Sequence, residues 1–452
     1  MDYVASVLRE RHSEDKIHIL VAKCNSGNFT YDGIELGGER VTHEIEETLE
    51  DLARNGQKIR KLSVVGYSLG GLVARYAIGL LYSKGWFDKL EPVNFTTFAT
   101  PHLGARTPLL GFHNHIWNVV GARTLSMSGR QLFIIDSFRD TGRPILSILA
   151  DPDSIFIRAL RQFKNKSLYA NVINDRSAVH YTTAISRIDP YKNIKELKIN
   201  YVEGYEPVVI CPDNPISPPD NNGELPTFYY RIADRSHTIM KSAPNFFILT
   251  LLIPLGTIAF LMNSVIQSIQ SSRRIKLHEE GKAGVLIGRY RIPLMVKDMR
   301  SAMEGVFDDL NRSQSPEYLP AGTEELSAQP EIKPLSSHSS HDDPLISGAK
   351  ASPPPRPRIP SCSSPGSEEK SNPIQRQQQP QQQRQLEFPT LALAPEQFAM
   401  IQTLDTVGFR KYHVYIHNAR HSHAAIIVRR PRKDFDEGKV VMGHWLDNEF
   451  EA

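Results

Sequence analysis

Lys61-Leu-Ser-Val-Val-Gly-Tyr-Ser-Leu-Gly-Gly-Leu-Val-Ala-Arg75 decides the fold. An apolar run, Leu62 to Val65, meets Gly66-Tyr67-Ser68-Leu69-Gly70, and a helical pattern follows through Leu72, Val73, Tyr76, Ala77 and Leu80. This is G-x-S-x-G with a strand before it and a helix after it. A sharp strand-to-helix reversal puts one serine at its apex in a strained conformation, so the positions two residues away are expected to exclude bulk. Gly66 and Gly70 meet that demand, and Gly71 eases the helix against the sheet. The helix start, beginning with the Leu69 N–H, points donors at the place where a carbonyl oxygen would become negative.

Outward from this elbow, strands alternate with helices. Met1 to Arg11 reads as an amphipathic helix with Val4, Val7 and Leu8 on one face, and Lys16 to Lys23 as a buried strand. Gly37 to Asn55 reads as an acidic helix with Val41, Ile45 and Leu49 as its inner stripe. Strands are expected at Val93 to Ala99, Ser167 to Asn174 and Arg410 to His417, and Ser128 to Ile135 reads as a cap or an ordinary covering helix. The alternation indicates an α/β fold with a mainly parallel sheet, whose functional residues gather at the carboxyl ends of the strands. Ser68, Pro101-His102 and Asp175 all fall there.

The chain has 452 residues, 40% hydrophobic and 23% charged, and a net charge of +3, too small to argue for a nucleic-acid partner. Cys24, Cys211 and Cys362 show no metal spacing and no disulfide pattern, which favours a reducing compartment. The first residues lack a signal-peptide core, so a secreted protein is not expected. Phe246 to Met262 is the longest uncharged apolar run, at the short end for crossing a bilayer, and is followed by Arg273, Arg274 and Lys276. Pro254 and Gly256 near its centre argue against a plain core helix. Arg291 to Phe307 reads as an amphipathic helix. From Ser313 to Pro389 the composition collapses into Ser, Pro and Gln, a linker unable to bury a core. Within it, Pro353 to Pro360 reads as a solvated stretch or a weak ligand for an SH3-type groove. The expected organisation is a hydrolase-like core over 1–240, a membrane-associating part over 241–312, the linker over 313–389, and a return to the core over 390–452.

A serine nucleophile needs a base and an acid that orients it. Asp175, just past a strand, is placed for the acid; Asp136, Asp140, Asp151 and Asp153 follow no clear strand. For the base, the loop after the last strand offers His417, His421 and His423, with His423 favoured and His421 next. His413, His417 and His421 are spaced four apart, but Tyr412, Val414 and Ile416 alternate as a strand, which splays that spacing and weakens a metal reading. No cofactor is expected.

Taken together, G-Y-S-L-G-G-L-V-A-R-Y-A, T-F-A-T-P-H-L-G, N-D-R-S-A-V-H-Y-T-T-A and H-S-H-A-A-I-I-V-R resemble the serine esterase family of α/β-hydrolases, closest to fungal lipid-droplet phospholipases and lipases. The resemblance implies Ser68 as nucleophile, Asp175 as acid, His423 as base, and ester hydrolysis in glycerophospholipids or neutral lipids. It also implies a lipid-droplet or endoplasmic-reticulum membrane surface facing the cytosol. Family members carry an H-G strand and loop ahead of the region matching Met1, supplying a second oxyanion donor. These residues contain no counterpart, so a sheet short of that strand is expected, with Leu69 as the nameable donor. The rival readings are a catalytically silent lipid-surface protein and a scaffold recruited through the Pro-rich linker. The apolar run lies between Asp175 and His423, so a working triad requires it to enter and leave by one face.

Overall fold

In the computed structural model the described residues are 1–108, 126–192, 194, 197–217, 266, 268–278, 280, 362–363 and 388–452. The apolar run 246–262, the helix expected at 291–307 and all of the 313–389 linker but 362–363 and 388–389, including Pro353 to Pro360, lie outside them. Among the described residues no helix is long and apolar enough to cross a membrane.

The expected helix at the start is α1, Asp2–Arg11, with Val4, Val7 and Leu8 buried. α2 is Ile34–Arg54, β1 is Lys61–Tyr67, α3 is Leu69–Ser83 and β2 is Glu91–Phe98. They are followed by α4, Met127–Leu132; α5, Ile155–Gln162; and β3, Asn165–Asn171. Three two-residue strands of the same sheet come next, β4, Tyr201–Val202; β5, Val209–Ile210; and β6, Cys362–Ser363, while Lys198–Ile199 and Ile216–Ser217 pair as a separate two-stranded ribbon. The chain closes with α6, Pro395–Asp405; β7, Arg410–Val414; α7, Ser422–Ala425; and α8, Glu437–Asn448. The sheet order is β1-β2-β3-β7-β5-β4-β6. β1, β2, β3 and β7 are mutually parallel, as the alternation predicts, while β5 turns antiparallel to β7.

The four parallel strands are apolar on both faces, and each face is covered. Phe95, Leu168 and Ala170 pack with residues of α3, α5 and α6 on one side; Phe98, Tyr169 and Tyr412 pack with α1 and α8 on the other. Two-sided burial fits the apolar stretches Leu168 to Ala170 of β3 and Val64-Val65 of β1, while β7 keeps an alternating pattern. Trp445 of α8 is fully buried and donates from Nε1 to Thr96 Oγ1 at 3.1 Å.

Four expectations are corrected. Lys16 to Lys23 forms no strand; it runs extended, with Ile17 and Ile19 half-buried and no ladder. A strand exists only against a neighbour, and among the described residues none lies beside this segment or on the outer edge of β1. The inner face of α2 is not Val41, Ile45 and Leu49, which are half-buried, but Gly38, Glu39, Thr42 and Glu46. The reason is close approach: a Cβ on Gly38 would lie 2.5 Å from the Tyr76 ring. The acidic residues turned inward are paired, Glu46 with Lys84 and Trp86, and Glu39 with His278. Ser128 and Gln131 of α4 bond the Gly33 and Ile34 amides, so this segment caps the start of α2. Finally, Cys211 is disulfide-bonded; spacing along the chain carries no signal for cysteines that only the fold brings together.

His444 of α8 is buried among tyrosine rings, with Nδ1 2.8 Å from the Tyr169 hydroxyl. Burial pushes its pKa down to about 4. A depressed base is neutral in the native state and takes up a proton on unfolding, so its contribution is complete above about pH 6.5 and is lost as pH falls towards 4. Stability is therefore expected to fall by about 2–3 kcal/mol between pH 7 and 4.5 from His444. Urea melts at the two pH values check this, and His444→Gln should show a shallower fall.

Candidate active site

Ser68 stands between β1 and α3 with φ +53°, in the left-handed region that a non-glycine residue occupies only when its surroundings enforce it. The enforcement is visible. The Ser68 amide donates to Phe98 O at 3.0 Å, and the Gly71 amide donates to Ser68 O at 3.1 Å. A Cβ on Gly66 would sit 2.4 Å from the Gly71 Cα, and one on Gly71 would sit 2.1 Å from Thr100 Oγ1. The tight pair is thus Gly66 and Gly71. The expectation for Gly70 is corrected: a Cβ there meets nothing within 4 Å. Leu69 opens α3, so its N–H is one of the helix-start donors without an intrahelical acceptor.

Asp175 lies just beyond β3, and His423 lies in the short helix α7 beyond β7, both at the carboxyl end of the parallel strands. The fold brings them to Ser68. His423 Nε2 is 2.8 Å from Ser68 Oγ, and His423 Nδ1 is 2.9 Å from Asp175 Oδ2. The partners fix the tautomer: a carboxylate can only accept, so Nδ1 carries the proton and Nε2 accepts from the serine hydroxyl. Asp175 accepts four bonds in all. Oδ2 also receives Asn171 Nδ2 at 2.9 Å, and Oδ1 receives the Ser177 and Ala178 amides at 3.0 and 2.8 Å. Its carboxylate plane therefore cannot turn.

Three residues that the motifs did not single out hold His423. Ser422 donates from Oγ to Ile173 O at 2.7 Å and from its amide to Asn174 O at 3.3 Å, which ties α7 to the Asp175 loop. Tyr67 donates to His423 O at 3.0 Å and lays its ring 5.1 Å from the imidazole. Burial pushes the Tyr67 hydroxyl up to about 12, against a smaller lowering by Arg429. Asn171 is the third. Tyr67 lies within the quoted elbow motif and Asn171, which acts through Asp175 Oδ2, lies ahead of the Asp175 motif, but their side chains act through contacts that spacing does not display.

The other histidines go elsewhere. His421 is exposed beside an arginine-lined cavity and makes no bond to Ser68. His417 pairs with Glu437 at 3.0 Å. His413 is half-buried beside His180, with a ring nitrogen 3.0 Å from it, and desolvation pushes its pKa well down. His102, expected near the site, is a core residue: fully buried, 3.0 Å from Thr97 Oγ1, with its pKa pushed well down by burial. Asp136 receives the Ile145 amide and Asp151 pairs with Arg143, so neither faces the serine. Among the described residues no group of three His, Cys, Asp or Glu is arranged to hold a metal.

A serine hydroxyl, an imidazole and a carboxylate in this order can generate a nucleophile at neutral pH and return its proton to a leaving group. Residues 1–187 match the model of the putative serine esterase family (DUF676). That match takes in the elbow and Asp175, while His423 lies beyond it. Similar proteins include the putative lipase ROG1 of Saccharomyces cerevisiae, 34% identical over 181 residues, 39% of this chain and 25% of the relative. The putative lipase C4A8.10 of Schizosaccharomyces pombe is 29% identical over 192 residues, 41% of this chain and 24% of its own. The putative lipase YDL109C of Saccharomyces cerevisiae is 28% identical over 252 residues, 55% of this chain and 36% of its own. The chain thus spans about a quarter to a third of the length of these relatives. No solved structure matches.

Proposed function

We infer that this chain is a serine hydrolase that cleaves carboxylic esters of lipids, with Ser68, His423 and Asp175 as its triad. The observation that carries the reading is the unbroken hydrogen-bond chain from Ser68 Oγ through the imidazole to Asp175. Ser68 Oγ attacks the acyl carbonyl and its proton passes to His423 Nε2. The carbonyl oxygen takes the negative charge towards the Leu69 N–H. Collapse expels the alcohol, which leaves with the proton from Nε2. Water, deprotonated by the same nitrogen, then hydrolyses the acyl-serine and regenerates Ser68. A fluorophosphonate probe tests this: it should label the folded full-length chain at Ser68, and folded protein that stays unlabelled would instead be a silent lipid-surface protein.

A helix with an apolar outer face supports a lipid surface as the place of action. The helical residues 268–278 dock on the start of α2 through polar groups: Ser271 on Tyr31 O, Arg274 on Asp32, and His278 on Glu39 at 2.6 Å. Ile269 and Leu277 point outward, 50% and 46% exposed, and Ile266, 49% exposed, continues the same face with Arg273 and Lys276 between. The α2 start lies on the Ser68 side of the sheet, because α2 leads into the beginning of β1 and packs on α3. Apolar side chains flanked by cations suit an anionic lipid surface, and the apolar run 246–262 ends just before them. The hydrogen bond between Asp175 and His423 supports a one-sided arrangement, in which that run enters and leaves by one face of a droplet or endoplasmic-reticulum membrane. Ile266→Ser, Ile269→Ser and Leu277→Ser together are expected to weaken vesicle flotation by about tenfold per inserted side chain. Unchanged flotation would remove this face from the surface contact.

A further inference from the structure

Beside His423 lies a cavity of about 650 Å³ whose charged lining is Arg420, Arg429, Arg430, Arg432, His421 and Asp434. It shares its wall with the triad: Ala424, next to His423, lines it, and so does Arg429, whose charge favours ionisation of Tyr67, the residue whose hydroxyl holds the His423 carbonyl. Four guanidiniums face one carboxylate there, and that carboxylate is already used, since Arg432 grips Asp434 with two bonds of 2.8 and 2.7 Å. Phe435, the one aromatic ring in the lining, is covered by the same arginine, whose guanidinium carbon stands 5.1 Å from the ring centre. Arg420 and Arg430 are exposed, and the triad uses neither.

Guanidinium forks match phosphate oxygens and recognise them by paired, charge-assisted bonds. A trimethylammonium group would need a free carboxylate or an open aromatic face, and this cavity offers neither. We propose that the cavity is a phosphate subsite that seats the head group of an anionic glycerophospholipid while its ester carbonyl meets Ser68. This rests on the ester-hydrolase reading and sharpens it, selecting anionic phospholipids over choline phospholipids and neutral glycerides.

The test uses the full chain carrying Ser68→Ala, so that binding is read without turnover. Calorimetry with soluble dihexanoylphosphatidylglycerol should show binding that dihexanoylphosphatidylcholine and dihexanoylglycerol do not match. Adding Arg420→Gln and Arg430→Gln should weaken the phosphatidylglycerol alone, by roughly 10- to 100-fold. Equal affinity for the three lipids, or no change on substitution, overturns the proposal. Inorganic phosphate that binds as tightly as the lipid, with only its own affinity lost on substitution, would assign the cavity to the free anion and overturn the head-group role. With Ser68 restored, the arginine pair should raise KM for phosphatidylglycerol and leave p-nitrophenyl butyrate hydrolysis unchanged. A loss on both esters would mark a structural role and overturn it. Selective lipid binding by a chain that hydrolyses neither ester would uphold the subsite while the ester-hydrolase reading fails.

Discussion

Ser68→Ala is expected to lower kcat for ester hydrolysis by about 10⁴- to 10⁶-fold, roughly 5–8 kcal/mol in barrier, and to abolish fluorophosphonate labelling. The size follows from what is removed. Without Oγ there is no acyl-enzyme route, and His423 Nε2 is left facing a methyl group. What remains is substrate positioning and the Leu69 N–H, the part of such sites that outlasts loss of the nucleophile. The fold should tolerate the change. Ser68 holds its place through its own amide and carbonyl, bonded to Phe98 and Gly71, and neither bond involves the side chain. Alanine at φ +53° is as strained as serine, so the melting temperature should move by only a few degrees. A variant that melts normally and keeps more than a hundredth of the wild-type kcat would remove Ser68 from the chemistry.

Much of this site was legible in the sequence because its parts obey local rules. The elbow announces itself by glycines around one serine between a strand and a helix. Asp175 and His423 each follow a strand, the first legible by its apolar centre Leu168 to Ala170 and the second by its alternation. What stayed hidden depends on which side chains meet. Gly70 and Gly71 are adjacent in sequence, yet only Gly71 is pressed against another element, by Thr100. Glu39 and Glu46 look like part of a solvated acidic face, but small residues let α2 approach α3 so closely that both turn inward and find partners. Lys16 to Lys23 has the composition of a strand, but composition cannot supply a neighbouring strand. The arginines at 420, 429, 430 and 432 are scattered through an irregular loop, and only its folding gathers them into one cavity.

Asp175→Asn should cost about 10⁴-fold in kcat with little loss of stability, and the hydrogen bonds around the carboxylate say why. The Ser177 and Ala178 amides both point at Oδ1 and need an acceptor, so the asparagine must place its oxygen there. Its NH₂ then takes the position of Oδ2, facing His423 Nδ1. A donor at that point forces Nδ1 to accept and moves the imidazole proton to Nε2, where it confronts the Ser68 hydroxyl instead of receiving its proton. The second donor at Oδ2, Asn171, can yield. Its own Oδ1 is buried without a partner, so turning that amide by half a revolution lets Oδ1 accept from the new NH₂ and leaves one unpartnered atom, as in the wild type. The damage is thus confined to the tautomer of one ring. Nitrogen NMR on labelled histidine should show the His423 proton on Nδ1 in the wild type and on Nε2 in the variant, while the melting temperatures agree within a few degrees. Retention of a tenth or more of the wild-type kcat, or an unchanged tautomer, would mean that Asp175 does not orient the base.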